Sequence, residues 1–384
     1  METSRADWVG WTGSSVRGWK AGRVTWPKAA TRKALEEVTC LPAAALGFIP
    51  RGITRGLATE EDPLRRRAFI ASAGATAVSA AAPTTVGASD VQRLRDRLTD
   101  LWLMDDQEGG ASDLESRALA LRDAAVDLQQ KGHATQRVRS RLYALTAAAA
   151  ATTTWAALDA RAPERAQRHV DTTITLAGLS GDAQVQHQAW RYASMLAEQR
   201  ERPVDAVAAA EAAMGTPAHR RDPLYASIGH AMLAVALANT HNSSDVTRAR
   251  RALQRATDAY DRADHHQPRP ASMAFYTRGE LEGLTAITLS RLGMSEHAEY
   301  HLHRCLAALR PDQRRNRGLY TASLALAQLD QGDPEQACAT AASVASPATG
   351  RVHHLVADSF TRKLAVTAPG AKVTREWTEY ARTL

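Results

Sequence analysis

The chain has 384 residues, a formal net charge of +7, three cysteines and only 5% aromatic residues. This length is sufficient for two or three domains, and the abundance of alanine, leucine and arginine favours helices over a wide β-sheet. Three cysteines without a CxxC pair argue against a disulfide framework or a zinc knuckle, and the lack of a run of about 18 apolar residues argues against a transmembrane helix. We therefore expect an all-α protein of the cytoplasm without contact to a membrane.

A basic stretch near the start of the chain concentrates the positive charge. Six basic residues and no acidic residue fall between Ser14 and Lys33. Gly13 interrupts a short apolar segment, and Ser14 or Ser15 can cap a helix that follows it. A helix, a tight turn and a second, basic helix are the parts of a helix-turn-helix motif. A charged surface that is merely solvated is the alternative interpretation.

The second helix of this motif has the residue types of a DNA-recognition helix. Val16 and Trp19 share one face as core residues and leave a polar face outward. Short hydroxyl groups and guanidinium groups on such a face can reach phosphates and base edges in the major groove. The candidate DNA-binding residues on this helix and in the loop beyond it are Ser14, Ser15, Arg17, Gly18, Lys20, Arg23, Lys28 and Arg32.

Residues 59–89 are rich in alanine and contain a run of three arginines. Twin arginines before an alanine-rich run resemble a twin-arginine export signal. Such signals begin a chain, however, whereas this run follows a block of residues 1–58 with a plausible fold of its own. We therefore expect an alanine-rich linker, with export as the alternative.

From residue 90 to the C-terminus, apolar residues recur at helical spacing in segments that end at Gly, Pro, Asn or Asp. This pattern predicts a series of helices separated by short turns. The predicted helices span residues 91–104, 114–131, 135–158, 163–176, 183–198, 204–214, 223–238, 245–261, 272–292, 296–309, 314–329, 334–344, 352–366 and 373–384.

Two turns in this region match each other in detail. Residues 293–298 and 332–337 both place a glycine after a helix, an acidic residue three positions later and an alanine five positions later. The glycine suits a helix C-terminus, polar residues cap the next helix, and the alanine permits close helix packing. Such helix–turn–helix units of roughly 34–40 residues resemble tetratricopeptide repeats, although the large aromatic positions of that repeat are mostly missing. The resemblance implies an α-solenoid with a concave face.

The first block resembles the DNA-binding domain of Cro/repressor-type regulators. The family's pattern of glycine, small residues, valine, tryptophan, glycine and proline is met by Gly13, Ser14, Ser15, Val16, Trp19, Gly22 and Pro27. A domain of this type followed by an alanine-rich linker and a tetratricopeptide-like region is similar to a large group of actinobacterial transcriptional regulators. Lys20 stands where the family usually has an acidic residue. The resemblance implies that the sequence starts at the second helix of the family's five-helix domain.

The resemblance implies a partial helix-turn-helix head (1–58), a linker (59–89) and a tetratricopeptide-like domain (90–384). It implies a transcriptional regulator whose head binds double-stranded DNA and whose helical region senses a ligand or forms a homodimer. The implied ligand is a peptide or protein in the concave face, where helix position suggests Arg191, Arg278, Glu282 and Arg317. The alternative is a tetratricopeptide-like adaptor with a vestigial head that acts only through protein contacts.

Signatures of enzymes and metal sites are weak. The sequence has no phosphate-binding glycine-rich loop, no Gly-x-Ser-x-Gly motif and no recognisable catalytic set, so we expect no catalysis and no cofactor. His297 and His301 share a helix at a spacing that can hold a metal ion. The pattern lacks the general base of a zinc-protease helix and a second set of ligands, which favours polar surface residues. We interpret Asp105 and Asp106 as helix-end residues.

Overall fold

Alanine, leucine and other apolar residues at helical spacing dominate the chain after residue 90, and this part folds almost entirely into helices. The computed structural model describes residues 28–30, 33, 84–108, 113–345 and 350–383. The chain divides into two compact units, Met1–Thr84 and Thr85–Leu384. The boundary between them falls within the stretch that the sequence predicts to be a linker.

The helices of the second unit follow one another with short turns. In chain order they are α1 (Ala88–Glu108), α2 (Leu114–Lys131), α3 (Gln136–Asp159), α4 (Pro163–Ser180), α5 (Ala183–Gln199), α6 (Pro203–Met214), α7 (Pro217–Arg221), α8 (Pro223–Ala238), α9 (Ser243–Asp261), α10 (Arg278–Arg291), α11 (Ser295–Ala308), α12 (Arg314–Asp330), α13 (Pro334–Ala345), α14 (Gly350–His353), α15 (Thr361–Thr367) and α16 (Lys372–Ala381). A 3₁₀ turn (Ala271–Met273) precedes α10, and a π-helical segment (His354–Phe360) joins α14 to α15.

Strand structure is minimal in the described part of the chain. Two short strands, β1 (Thr84–Thr85) and β2 (Gly132–His133), pair in a two-stranded sheet. The prediction of an all-α protein is therefore confirmed for the residues that the structure describes.

Successive helices pack against each other in pairs. The pairs are α3 with α4, α5 with α6, α8 with α9, α10 with α11 and α12 with α13. The first helix of each pair also contacts the first helix of the next pair, so that α3, α5, α8, α10 and α12 form a continuous inner row. Helix α8 in this row is apolar and buried around its circumference, whereas α9 outside it buries one apolar face and exposes charged residues.

Helix α1 closes the inner row into a ring. It packs against α2 and α3, its neighbours in the sequence, and also against α12 and the 3₁₀ turn. The π-helical segment packs against α12 as well. The side chains that line the inside of this ring therefore come from segments as far apart in the sequence as α1 and α14.

Both matched turns have the conformation that their glycines predict. Gly293 and Gly332 adopt positive φ angles of 74° and 84°, which residues with a side chain rarely tolerate. The alanines of the pattern, Ala298 and Ala337, are completely buried. Asp333 Oδ1 accepts a hydrogen bond of 3.0 Å from the backbone N–H of Gln336 and so caps α13. The predicted roles of the glycine and the alanine are confirmed at both turns. The predicted polar cap is confirmed only at the second turn, because Met294 precedes α11 and no side chain caps that helix.

One predicted helix is wrong in part. The pattern predicts a helix over 272–292, but the chain forms the 3₁₀ turn and begins α10 only at Arg278. The break places the Tyr276 hydroxyl 2.8 Å from Ser227 Oγ in the core and the Phe275 ring against the Arg191 guanidinium. A continuous helix would point these adjacent aromatic side chains in different directions around its axis. Tertiary packing therefore overrides the local helical pattern.

Gly283 in α10 lies against the ring of Tyr320 in α12. A Cβ atom at Gly283 would lie 2.2 Å from the ring carbons, and Tyr320 is completely buried. We expect Gly283→Ala to lower the free energy of unfolding by up to about 2 kcal/mol, because the steric cost of about 1–3 kcal/mol exceeds the gain of up to about 1 kcal/mol in helix propensity. Chemical denaturation of the variant and the wild type measures this difference.

Gly178 in α4 provides the matched control. No atom lies within 4 Å of a Cβ added there, so Gly178→Ala should raise the free energy of unfolding by about 0.5–1 kcal/mol. Equal stabilisation by both substitutions would show that the contact between α10 and α12 is not tight.

Candidate functional site

The DNA-binding residues that the sequence predicts lie almost entirely outside the described part of the chain. This holds for Ser14, Ser15, Arg17, Gly18, Lys20, Arg23 and Arg32. Lys28 is described: it is exposed and directly precedes the helical residues Ala29 and Ala30. The contact of this stretch with DNA stays a prediction, and the candidate site of the described chain lies in the second unit.

A cavity of about 270 Å³ lies inside the helix ring. Helices α1, α3, α5, α8, α10, α12 and α14 all contribute to its wall. The apolar part of the wall includes Trp102, Trp155, Tyr192, Met195, Ile228, Met232, Val235, Phe275, Leu284, Ile287, Leu319 and Leu355. The charged part consists of five arginines and four carboxylates, namely Arg161, Arg191, Arg291, Arg315, Arg351, Asp105, Asp159, Glu198 and Glu280. A concave, mostly apolar site with a few converging polar groups is typical of small-molecule binding.

Asp105 attaches α1 to the rest of the ring. Its side chain is 2% exposed, and its Oδ2 accepts a hydrogen bond of 2.9 Å from Trp155 Nε1 in α3. The same oxygen lies 3.2 Å from Nη1 of Arg315 in α12, and the guanidinium carbon of Arg315 lies 4.5 Å from the centre of the Trp155 ring. The indole and the carboxylate together compensate for the burial of the Arg315 charge. These three side chains join α1, α3 and α12 at the cavity wall.

Arg191 is a buried cation in the wall contributed by α5. It is 5% exposed, and its guanidinium carbon lies 5.1 Å from the ring centres of both Tyr192 and Phe275. Within the described chain it forms no ion pair, and its Nε has no hydrogen-bond partner. Cation–π contacts of up to about 2 kcal/mol offset only part of the penalty of several kcal/mol for burying a charge. An anionic group in the cavity would compensate for the remainder.

Glu280 faces the same cavity from α10. Burial raises the pKa of its carboxyl group, while the Tyr320 hydroxyl and nearby arginines oppose this shift. Asn316 Nδ2 donates a hydrogen bond of 3.2 Å to Glu280 Oε2.

Arg291 is satisfied by protein groups, unlike Arg191. It donates hydrogen bonds of 2.8 Å to the carbonyl of Val235 and 2.9 Å to Oε2 of Glu198. The other oxygen of Glu198 and the Oε1 atom of Gln199 are buried without a hydrogen-bond partner. These atoms are acceptors that a ligand N–H or O–H group could satisfy.

The structure separates the four residues that the sequence suggests for the ligand groove. Arg191 lines the cavity. Glu282 lies between α10 and α11, with its carboxylate 2.6 Å from His301 Nδ1 and 3.3 Å from Arg278 Nε. Arg317 donates hydrogen bonds of 2.9 Å to two carbonyls at the end of α11. Arg278, Glu282 and Arg317 are thus engaged in contacts between helices and do not line the cavity.

Sequence reasoning missed most of the charged cavity wall. Asp105 lies in the last turn of α1, as its interpretation as a helix-end residue requires, but it is buried and paired across the ring. Its partner Trp155 is 50 residues away in the chain, and Arg315 lies still further along. No local pattern identifies such a set. The one available signal is the occurrence of charged residues at positions where helical spacing predicts burial.

Three histidines pack against one another, and the first of them, His187, lies near Arg191. The ring centre of His187 lies 6.4 Å from that of His219 and 5.2 Å from that of Tyr225, and His219 lies 5.0 Å from His230. One ring nitrogen of each histidine is buried without a hydrogen-bond partner. Burial, with help from Arg191 and His219, lowers the pKa of His187 to about 3, and burial lowers the pKa of His230 to about 4. Both residues are therefore neutral at pH 7.

Other site types find little support among the described residues. No helix there is both long and apolar enough to cross a bilayer, and no group of three or more His, Cys, Asp or Glu side chains is placed to hold a metal ion. Cys305 and Cys338 are free and buried.

Comparisons with protein families and curated proteins identify no relative of this chain. No model of a known protein family matches the chain, and no curated protein matches it.

Asp105→Asn tests whether the carboxylate stabilises the ring. The amide can still accept the hydrogen bond from Trp155, but it removes the negative charge that lies 3.2 Å from Arg315 Nη1. Removing one member of a buried ion pair costs about 3–5 kcal/mol, so we expect a loss of about 3 kcal/mol in the free energy of unfolding. Asp123→Asn is the control, since Asp123 pairs with Arg122 at the surface and should change stability by less than about 0.5 kcal/mol. Similar losses in both variants would contradict the role of Asp105.

The pKa of His187 predicts acid lability with a defined sign. A histidine whose pKa is lowered by folding takes up a proton in the unfolded state first, so stability falls as pH drops below about 6.5 and continues to fall towards the folded-state pKa of about 3. Between pH 7 and pH 5, His187 alone should lower the free energy of unfolding by roughly 2 kcal/mol.

His187→Phe tests this contribution because it keeps an aromatic ring but cannot be protonated. We expect the decrease in stability between pH 7 and pH 5, measured by chemical denaturation, to be smaller in this variant by roughly 2 kcal/mol. His266→Gln, which replaces a histidine in an exposed loop, is the control for the substitution of a histidine. An unaltered pH dependence in His187→Phe would show that His187 is not buried as a neutral group.

Proposed function

We propose that this chain is a DNA-binding transcriptional regulator, in which a basic N-terminal head binds double-stranded DNA and the helical unit binds a ligand inside its ring. The observation that carries the sensing role is the cavity of about 270 Å³ with an arginine that is buried but not ion-paired. A purely structural ring would be more stable with apolar residues at that position. Buried groups that lower the stability of the ligand-free protein are typical of binding sites.

The helix pairs of the second unit are proposed to be degenerate tetratricopeptide-like repeats that form an α-solenoid. Helices α10, α12 and α14 begin at Arg278, Arg314 and Gly350, which are spaced 36 residues apart, within the roughly 34–40 residues of such repeats. The two matched glycine turns lie between these helices. Earlier pairs are spaced less regularly, and α1 provides the closure that a regular repeat lacks.

The DNA-binding half of the proposal is supported by the basic stretch and its family resemblance. Six basic residues without an acidic one between Ser14 and Lys33 would neutralise phosphates and displace counterions. A homodimer would place two heads on a palindromic operator. A ligand that prefers one arrangement of the ring can alter DNA affinity by linkage.

A salt titration of duplex binding tests the DNA contact. We expect the full chain to bind fragments of its own promoter region, with an affinity that falls as salt rises from 50 to 200 mM because counterions are released. Arg23→Ala and Arg32→Ala should each reduce the slope of log affinity against log salt by about 1, since each removes one phosphate contact. Fluorescence anisotropy of a labelled duplex measures both quantities.

Lys372→Ala is the control for net charge. Lys372 lies in α16 with a side chain that is 82% exposed, and its removal lowers the net charge by the same amount as the head variants. If it reduces the salt slope as much as they do, the binding is a general effect of charge. Absence of duplex binding at low salt would favour the adaptor alternative.

A further inference from the structure

The chemistry of the cavity wall identifies the class of molecule that fits it. Arg191 is buried, stacked between two aromatic rings and without an anionic partner. Burial without an ion pair is costly for an arginine, which stays charged at any physiological pH. A site that keeps this residue is expected to contain a negative charge when occupied.

Two of the four carboxylates of the wall are paired with other arginines. Asp105 pairs with Arg315, and Glu198 pairs with Arg291. Glu280 accepts a hydrogen bond from Asn316 and forms no ion pair with any described residue. The five arginines of the wall outnumber its four carboxylates, and burial favours the neutral form of one of these carboxylates. Among the described residues, therefore, no carboxylate of the wall forms an ion pair with Arg191.

A second arginine of the wall is in the same position. Arg351 in α14 lines the cavity and forms no ion pair within the described chain. It lies close to Arg161, since burial and the Arg351 charge lower the pKa of Arg161. An anion inside the ring would be attracted by Arg351 as well as by Arg191.

The apolar part of the wall and the volume of the cavity determine which ligand body fits. Met195, Ile228, Met232, Leu284, Ile287 and Leu319 offer apolar surface from α5, α8, α10 and α12. The volume of about 270 Å³ lies near the lower end of the roughly 300–1,000 Å³ of small-molecule pockets. Helix α1 also packs across from α3 to α12, so the ring is not an open groove for an extended peptide. The site fits a small molecule better than the peptide or protein that the family resemblance implies.

We propose that the cavity binds a small organic anion, with a carboxylate, sulfonate or phosphate group that pairs with Arg191 and an apolar body that packs against the methionine, leucine and isoleucine side chains. This inference rests on the sensing role in the proposed function and names its ligand class. It does not depend on DNA binding.

A matched pair of fluorescent probes tests this ligand class on the full chain. Anilinonaphthalene sulfonate carries an anionic group on an apolar ring system, and phenylnaphthylamine has the same ring system without the anion. We expect the wild type to bind one equivalent of the sulfonate at least tenfold more tightly than the neutral probe. Equal affinities for the two probes, or many weak sites for the sulfonate, would overturn the proposal.

Arg191→Gln identifies the residue that recognises the anion. We expect this variant to bind the sulfonate at least tenfold more weakly and the neutral probe with unchanged affinity. Arg317→Gln removes the same charge outside the cavity and should leave both affinities unchanged, which separates recognition by Arg191 from the general attraction of a cationic protein. An Arg191→Gln variant that is folded by circular dichroism and retains the wild-type preference would overturn the assignment.

Thermal unfolding provides an internal check on folding and on the unpaired charge of Arg191. Because Arg191→Gln removes a buried, unpaired charge, we expect its Tm without probe to equal or exceed that of the wild type. The sulfonate should raise the Tm of the wild type and of Arg191→Lys, which keeps the charge, more than that of Arg191→Gln. Equal shifts in all three proteins would overturn the proposal. Loss of duplex binding with retention of this pattern would reject the DNA-binding role and leave the ligand class intact.

Discussion

The buried contact of Asp105 with Trp155 and Arg315 is the interaction on which the second unit depends. Pairs of neighbouring helices form from contacts that are close in sequence, but such pairs alone would leave an open row. The Asp105 carboxylate reaches α3 through the indole N–H and α12 through the guanidinium. By fixing α1 across the row, it converts a curved surface into a ring with an interior. Without this closure the charged and apolar side chains of the inner helices would face bulk water.

Helix α5 concentrates the polar groups that the protein itself leaves unsatisfied. It contributes His187, Arg191 and Glu198, each of which has a buried nitrogen or oxygen atom without a hydrogen-bond partner. Such groups lower the stability of the free protein. Some charged residues elsewhere in the interior are paired, as Arg269 is with Asp222, whereas Glu280 and Arg351 at the cavity wall form no ion pair with described residues. The uneven distribution indicates that α5 is shaped for an occupant more than for the stability of the ring.

The fold could be predicted from the sequence to a large extent, and the site could not. Helix bounds such as Pro223–Ala238 follow from local periodicity and capping, which the sequence displays directly. The interruption before Arg278 was not predicted because it depends on contacts of Phe275 and Tyr276 with residues that are distant in the sequence. Arg191 was identified from its position on a helix, yet its unpaired state depends on the absence of a partner in three dimensions. The pairing of Asp105 with Arg315 joins segments that share no sequence pattern, so it can be recognised only in the three-dimensional structure.

The apolar helix α8 (Pro223–Ala238) limits how the second unit can be divided. It is 16 residues long, shorter than the roughly 20 residues of a transmembrane helix. Helices α5, α6, α7, α9 and α10 pack against it, and Ile228, Met232 and Val235 face the cavity. A fragment that ends within this set would expose a continuous apolar surface and be prone to aggregation. During synthesis, α8 leaves the ribosome before α9 and α10 are available to cover it. We therefore expect that terminal helix pairs cannot be removed from this unit without loss of solubility. We also expect chaperones to bind the nascent chain mainly at α8.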